Sequence, residues 1–178
     1  MHVVVPDEFQ YLYEKSHKRP VVKIPDPVLR VTCEPVIKLN KPTLKLIDEL
    51  FKSMKIANGI GLAAPQLGVT KRLFVMAPSG VKPIVLLNPK IIKRGGLFVG
   101  QEGCLSIPGL YGDVERSEYV EVEALDRKGR EIVLELEGLP ARVAQHEIDH
   151  LDGILFIDKV ITETLHWMHP DADDDPVE

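Results

Sequence analysis

The chain has 178 residues, of which 44% are hydrophobic and 28% are charged, as in a globular domain with a substantial core. Its net charge of −5 and its scattered basic residues exclude a basic face, so we expect no nucleic-acid partner for the chain by itself. The longest apolar runs, such as residues 84–87, are too short to span a bilayer, and the N-terminus lacks the pattern of a secretory signal. We therefore expect no membrane association.

The domain organisation is predicted to be simple. No repeat or linker divides the chain, so residues 1–178 are expected to form a single domain. Within it, residues 1–24 have no clear period and are interpreted as an N-terminal arm, and residues 170–178 as an acidic, solvated C-terminal tail. The two cysteines, Cys33 and Cys104, are too few for a disulfide framework, which favours reduced thiols in a cytoplasmic protein.

The first regular elements in chain order are helical. Asp26 is expected to cap a short helical turn that has Pro27 at its first position. A longer amphipathic helix is then predicted from Pro42, because apolar residues recur three or four positions apart, at Leu44, Ile47, Leu50, Phe51 and Met54. Asn58-Gly59 should end this helix, since both residues tolerate the left-handed conformation.

Strands are predicted in the middle of the chain and a second helix after them. Apolar runs and alternating patterns indicate strands at 72–76, 84–87, 90–99 (interrupted by Gly95-Gly96), 120–124 and 132–136, the last two as a hairpin. Helical spacing returns after Gly138, with Leu139, Val143, His146 and His150 on one face. The expected fold class is α+β: central, mostly antiparallel sheets packed around a helix that carries a His-Glu-x-x-His metal motif, with an N-terminal amphipathic helix.

The segment Gln145-His146-Glu147-Ile148-Asp149-His150 carries the strongest chemical signal. Residues four apart lie on the same face of a helix, so His146 and His150 can bind one metal ion together. Glu147 is rotated by about 100° from His146, beside the ion rather than on its axis, and can accept a proton from activated water. The alternative interpretation, two surface histidines that meet by chance, does not account for the glutamate in this position.

A catalytic ion usually has three protein ligands, and the sequence leaves the third to be found. A third histidine at the metzincin spacing is absent because Phe156 occupies that position, and Glu163 is too close to His150 to return from a second helix. Cys104, in Glu102-Gly103-Cys104-Leu105-Ser106, is the candidate, since a thiolate is a strong ligand for zinc and ferrous iron. Cys33 is interpreted as a buried structural cysteine.

A third segment, Gly59-Ile60-Gly61-Leu62-Ala63-Ala64-Pro65-Gln66, follows the first long helix. It does not match a dinucleotide fingerprint, which follows a strand, and a close-packed turn explains its small residues. It could also bring its backbone and the Gln66 amide close to a substrate. Gln66 would then donate a hydrogen bond to an oxyanion.

Together and in this order, the segments 59–66, 102–106 and 145–150 resemble the three motifs of the peptide deformylase family, and the resemblance runs from about Ile24 to Lys159. It implies a hydrolase that removes the N-formyl group from N-formylmethionyl nascent polypeptides. It also implies that Cys104, His146 and His150 hold the ion, that Glu147 is the general base and acid, and that Gln66 and the backbone N–H of Leu105 form the oxyanion hole.

The resemblance further implies a substrate pocket and an ion. Gly59, Ile60, Gly61, Glu102, Gly103, Leu139, Val143 and His146 are expected to contact the substrate. Arg142 takes a position that is apolar in some members, and its stem is expected to line the pocket while its head reaches solvent. One divalent ion is expected, Fe²⁺ in the cell, with Zn²⁺, Ni²⁺ or Co²⁺ able to occupy the site.

Two other functions remain as alternatives. A zinc metallopeptidase can use the same helix motif, but Phe156 and a thiolate ligand argue against it. A catalytically silent metal-binding homologue would be expected to lack Glu147 or Gln66, and both are present. A transient contact with the ribosome is left open, because the long C-terminal helix that some deformylases carry is not indicated here.

Overall fold

The computed structural model describes residues 2–14, 16 and 20–169, so the predicted acidic tail at 170–178 lies outside the described residues. Helices and antiparallel sheets occur together in it, which confirms the α+β class. No helix in this part of the chain is long and apolar enough to cross a membrane.

The strands form two antiparallel sheets. Within the described ranges they are β1 (Gly61–Ala63), β2 (Leu73–Met76), β3 (Ile84–Gly95), β4 (Phe98–Cys104), β5 (Ile107–Arg116), β6 (Tyr119–Leu125), β7 (Glu131–Glu137) and β8 (His166–Trp167). The larger sheet has the order β1-β2-β3-β6-β7, and the smaller has the order β4-β5-β8. The chain therefore passes from one sheet to the other between β3 and β4 and returns between β5 and β6.

In the part of the chain that the structure describes, two α-helices accompany the sheets, α1 (Lys41–Ile56) and α2 (Leu139–Leu151). The side chain of Asn40 caps α1 by accepting a hydrogen bond from the Thr43 N–H at 3.0 Å. After its last turn Asn58 has φ 52°, the left-handed conformation predicted there. Short 3₁₀ helices cover Asp7–Leu12, Pro27–Arg30, Ala64–Leu67, Phe156–Asp158 and Thr162–Thr164.

Strand β2 lies between the two helices. Phe74 and Met76 belong to the core cluster that contains Ala144 and Ile148 of α2. The alternate residues Leu73 and Val75 pack in a second cluster with Ile47 and Leu50 of α1. Both faces of β2 are therefore buried, and the apolar face of each helix is fixed against the same strand.

The structure departs from the predicted elements in three ways. The predicted gap between residues 87 and 90 is wrong, because β3 continues through these residues with a shift in its register against β6. Asn88 lies at this shift and has φ 52°. Its side chain accepts a hydrogen bond from the N–H of Val36 and donates one to the carbonyl of Val36. Strands β1, β5 and β8 were not predicted. The arm contains a 3₁₀ helix whose Phe9 is buried, a feature that its lack of period did not indicate.

Candidate metal centre and active site

Helix α2 presents two imidazoles to one side of the molecule. His146 and His150 lie one turn apart, with ring centroids separated by 4.9 Å and ring planes at 77°. Ala141, Ala144 and Ile148 lie in the core cluster beneath the larger sheet, which fixes the rotation of the helix about its axis. The spacing of the two rings is therefore set by helix packing as well as by the sequence.

Cys104 ends β4 and brings its sulfur to the two rings. Its Sγ lies 3.3 Å from His150 Nε2, and the potential ligand atoms of Cys104, His146 and His150 all lie within 4.8 Å of one another. Burial opposes ionisation, but the nearby imidazoles of His150 and His146 bring the pKa of the Cys104 thiol well below its ordinary value. The sulfur is thus held as a thiolate, the form that binds metal ions.

These three side chains fit a metal ion. In a tetrahedral site with a sulfur about 2.3 Å and a nitrogen about 2.0 Å from the ion, the two ligand atoms stand roughly 3.5 Å apart. The observed 3.3 Å between Cys104 Sγ and His150 Nε2 agrees with this spacing. Three ligands leave one tetrahedral position for water or substrate, as catalytic sites do.

A buried carboxylate orients one of the rings. Glu102 Oε2 lies 2.9 Å from His146 Nδ1, which leaves Nε2 of that ring for an ion. Glu102 also accepts hydrogen bonds from Arg116 Nε and Nη2, both at 2.9 Å, and from Arg142 Nη1 at 2.8 Å. Burial alone would raise the pKa of Glu102, but Arg116 and then His146 hold it well below its ordinary value. Glu102, predicted as a substrate contact, is thus an ionised group that holds a histidine.

Glu147 is buried beside the cluster with one oxygen uncommitted. Its Oε2 has no hydrogen-bond partner within the described part of the chain. A Cβ at Gly61 would stand 2.9 Å from the carboxylate carbon of Glu147, so the absence of a side chain at Gly61 makes room for this group. Burial raises the pKa of Glu147 to about 7. A carboxyl group with this pKa can both take up and release a proton near neutral pH.

The Gln66 amide points its nitrogen toward the sulfur. Its Oε1 accepts a hydrogen bond from the backbone N–H of Ala63 at 2.9 Å, which fixes the orientation of the amide. Its Nε2 donates to Ser106 Oγ at 3.1 Å and to Cys104 Sγ at 3.7 Å. Leu105 follows Cys104 directly, in the turn between β4 and β5. Gln66 and Leu105 therefore both lie close to Cys104, at the wall of one cavity.

A cavity of about 350 Å³ opens beside these groups. It is lined by Gln66, Cys104, Leu105 and Glu147, and by all eight positions predicted to contact substrate: Gly59, Ile60, Gly61, Glu102, Gly103, Leu139, Val143 and His146. His150 is buried behind them, with 1% of its surface exposed. The structure thus brings the predicted residues together, while their individual roles remain predictions. Arg142, whose stem was expected to line the pocket, is also at the cavity wall, together with residues that were not predicted, at Asn58, Gln101 and 108–111.

The expectation for the charged head of Arg142 is wrong. Its head does not reach solvent, because the residue is buried and its guanidinium donates to the carbonyl oxygens of Phe98, Gly100 and Val114 as well as to Glu102. Burying a guanidinium is tolerable only when acceptors surround it, and here four are present. Arg142 therefore ties α2 to the strands β4 and β5.

Sequence reasoning missed three more buried contributors, Arg116, Asp149 and Ser106. Arg116 at the end of β5 bridges Glu102 and Asp149, and Lys159 also donates to Asp149 at 2.7 Å. Ser106, fully buried, holds both the Gln66 amide and the sulfur of Cys104. Ser106 and Asp149 belong to the segments 102–106 and 145–150, so the resemblance of these segments to the family motifs could have identified both residues. Arg116 stands in no motif, and only its pairing partners identify it.

A thiolate, two imidazoles and a buried carboxylate beside an open cavity are the parts of a metal-dependent hydrolase with a single ion. Comparison with known proteins identifies the family. The polypeptide deformylase family model matches residues 18–165. Peptide deformylase 1 of Bacillus anthracis is 50% identical over 141 residues, which cover 79% of this chain and 90% of that protein.

Solved structures agree with the sequence comparison. The crystal structure of peptide deformylase from Thermus thermophilus has a TM-score of 0.77 and 48% identity, covering 81% of this chain and 86% of that one. A peptide deformylase from Synechococcus elongatus in complex with actinonin also has a TM-score of 0.77, with 46% identity, 83% of this chain and 82% of that chain covered. The chain belongs to the polypeptide deformylase family, as its three motifs predicted. It is a hydrolase that removes the formyl group from nascent polypeptides.

Proposed function

We propose that Cys104, His146 and His150 hold one divalent ion and that Glu147 is the general base and acid of deformylation. The observation that carries this proposal is the convergence of the three ligand atoms within 4.8 Å, next to a buried carboxylate with an uncommitted oxygen. When bound, the ion would supply Lewis-acid activation of water and of the formyl carbonyl.

Glu147 moves the proton in this scheme. Its carboxylate accepts a proton from the attacking water and later delivers it to the leaving nitrogen of methionine, so that formate and a free amine are the products. The burial that raises the pKa of Glu147 to about 7 makes it a better base than an exposed carboxylate and keeps the proton for the second step.

Gln66 and Leu105 act on the formyl oxygen. Negative charge develops on that oxygen during attack, and the Gln66 Nε2–H and the backbone N–H of Leu105 stabilise it. The weakest of the Gln66 contacts is the one from Nε2 to Cys104 Sγ, at 3.7 Å. The N–H that makes this contact is the one that can turn to the formyl oxygen of the substrate. Its other N–H stays on Ser106 and keeps the amide in place.

The substrates we propose are N-formylmethionyl nascent polypeptides. Ile60, Leu139 and Val143 give the cavity an apolar side that suits a methionine side chain. Gly59, Gly61 and Gly103 expose backbone at the cavity, which allows the peptide to approach closely. Ile60 and Leu139 are 43% and 47% exposed, so a bound substrate can bury apolar surface on both side chains.

We propose Fe²⁺ as the ion in the cell because the family resemblance implies it, and Zn²⁺, Ni²⁺ or Co²⁺ as substitutes because a thiolate with two imidazoles suits several divalent ions. Metal analysis of protein purified without oxygen tests this assignment. We also propose that the protein is cytoplasmic and folds as one domain, and a transient contact with the ribosome stays an open question. Cell fractionation, a single unfolding transition and co-sedimentation with ribosomes test these three points.

The central experiment measures formate release from formyl-Met-Ala-Ser by protein loaded with Fe²⁺ without oxygen, with unformylated Met-Ala-Ser followed in parallel for cleavage. Formate with intact peptide bonds is the expected result. Cleavage between residues would instead support a zinc metallopeptidase. Neither product from folded, metal-loaded protein would support a catalytically silent metal-binding homologue.

A further inference from the structure

A short extended segment, Val22 to Ile24, crosses behind the two parts of the proposed oxyanion hole. The backbone N–H of Val22 donates to the carbonyl of Gln66 at 2.8 Å. Two residues later, the backbone N–H of Ile24 donates to the carbonyl of Ser106 at 3.1 Å. The same segment therefore holds the turn that carries the Gln66 amide and the turn that carries the Leu105 N–H.

The residue between these two contacts adds a third. Lys23 Nζ donates to the carbonyl oxygen of Leu105 at 2.8 Å and to the carbonyl of Val21 at 3.0 Å. Because Leu105 stands between Cys104 and Ser106 in a short turn, fixing its carbonyl restricts the dihedral angles on both sides of its α-carbon. Those angles also determine where the N–H of Leu105 points.

We propose that Lys23 is a positioning residue for deformylation, which fixes the Leu105 turn and so sets the distance between the two oxyanion donors. This inference rests on the proposed function, since it gives Lys23 a role only if Leu105 N–H and Gln66 Nε2 bind the formyl oxygen. An oxyanion hole works because its donors are already oriented, so small displacements reduce the stabilisation of the transition state more than substrate binding.

Loss of the Lys23 ammonium group should therefore lower kcat. In Lys23→Met, which keeps most of the side-chain stem, we expect kcat to fall about tenfold, a fraction of the roughly hundredfold or greater loss that follows removal of an oxyanion donor. The KM for formyl-Met-Ala-Ser and the inhibition constant of the product Met-Ala-Ser should change less than about twofold, because neither reports on charge at the formyl oxygen.

Two further variants separate positioning from charge. Lys23→Arg keeps a cationic donor, and Lys23→Gln keeps a neutral donor. Lys71→Met is the matched control, because Lys71 pairs with Glu34 on the surface and touches no part of the site. If Lys23 positions the turn, Lys23→Arg and Lys23→Gln should both recover part of the lost kcat, and Lys71→Met should equal the wild type. Recovery by arginine alone would mean that the charge acts directly, which would overturn the proposal.

A double-mutant cycle provides the decisive measurement. Once Gln66→Leu has removed one donor, adding Lys23→Met should cost much less than its effect alone, because both changes damage the same hole. Full additivity in kcat, with folding checked by thermal unfolding, would overturn the inference. So would a wild-type kcat in Lys23→Met. Absence of formate release by the wild-type protein in the same assay would instead refute the proposed function itself.

Discussion

Replacing Glu102 with glutamine tests whether the buried charge network holds the metal centre. The side chains of Glu102 and Arg116 are each 4% exposed and that of Arg142 is 9% exposed, so the substitution leaves two buried guanidinium groups without their shared anion. Breaking a buried pair costs about 3–5 kcal/mol. Arg116 keeps Asp149 and Arg142 keeps three carbonyl acceptors, which places the expected loss near the lower end, about 3 kcal/mol.

The same substitution should weaken the metal centre separately from folding. A glutamine holds the His146 ring less firmly than a carboxylate, and loss of such a partner lowers metal affinity about 10- to 100-fold. Urea unfolding of the metal-free protein measures the loss of folding free energy, and competition with a chromophoric chelator measures the loss of metal affinity. Asp48→Asn, which breaks an exposed pair with Arg127, is the control and should change neither. Wild-type values of both quantities in Glu102→Gln would refute the reasoning.

Three other outcomes are expected. Glu147→Gln should keep the bound ion, measured by metal analysis, and lose about 10²- to 10⁴-fold in kcat, since it removes the base and spares the ligands. Gly61→Ala should displace the Glu147 carboxylate and lower kcat with metal content unchanged; equal kcat would contradict this. Burial raises the pKa of Cys33 to about 11 from 9.0, so the unfolded chain loses the proton first and stability should fall from pH 9 to 11, by less in Cys33→Ala than in the wild type.

The part of the site that follows from local spacing was predictable. His146, Glu147 and His150 have positions on a helix that the period of 3.6 residues fixes, and helix α2 begins directly after Gly138, where helical spacing was predicted to return. Cys104 was identified by elimination, because two histidines leave a catalytic ion one ligand short. Neither argument needs knowledge of the tertiary structure, and both lead to groups that the structure places together.

Other features depend on contacts between distant segments, and sequence patterns do not encode them. Strand β5 contains Pro108, Gly109 and Gly112 and so resembles a loop, yet both glycines are packed tightly, Gly109 against Phe9 and Gly112 against Val160. The partners of Arg142 are mostly backbone carbonyls of strands 28 to 44 positions away, and every residue type offers a carbonyl. No side-chain motif can identify such acceptors.

The position of the centre between the two sheets links metal binding to folding. Helix α2 is packed on the larger sheet, whereas Cys104 ends a strand of the smaller one. An ion held by Cys104, His146 and His150 would therefore join the two sheets, as Glu102 and Arg142 already do from the protein side. An ion at a hundred times its Kd adds about 2.7 kcal/mol to the folded state if the unfolded chain does not bind it. Because Glu102→Gln also weakens metal binding, the variant gains less folding free energy than the wild type at the same ion concentration, and bound metal would add this difference to the loss from the broken charge network. This is why its unfolding must be measured on the metal-free protein.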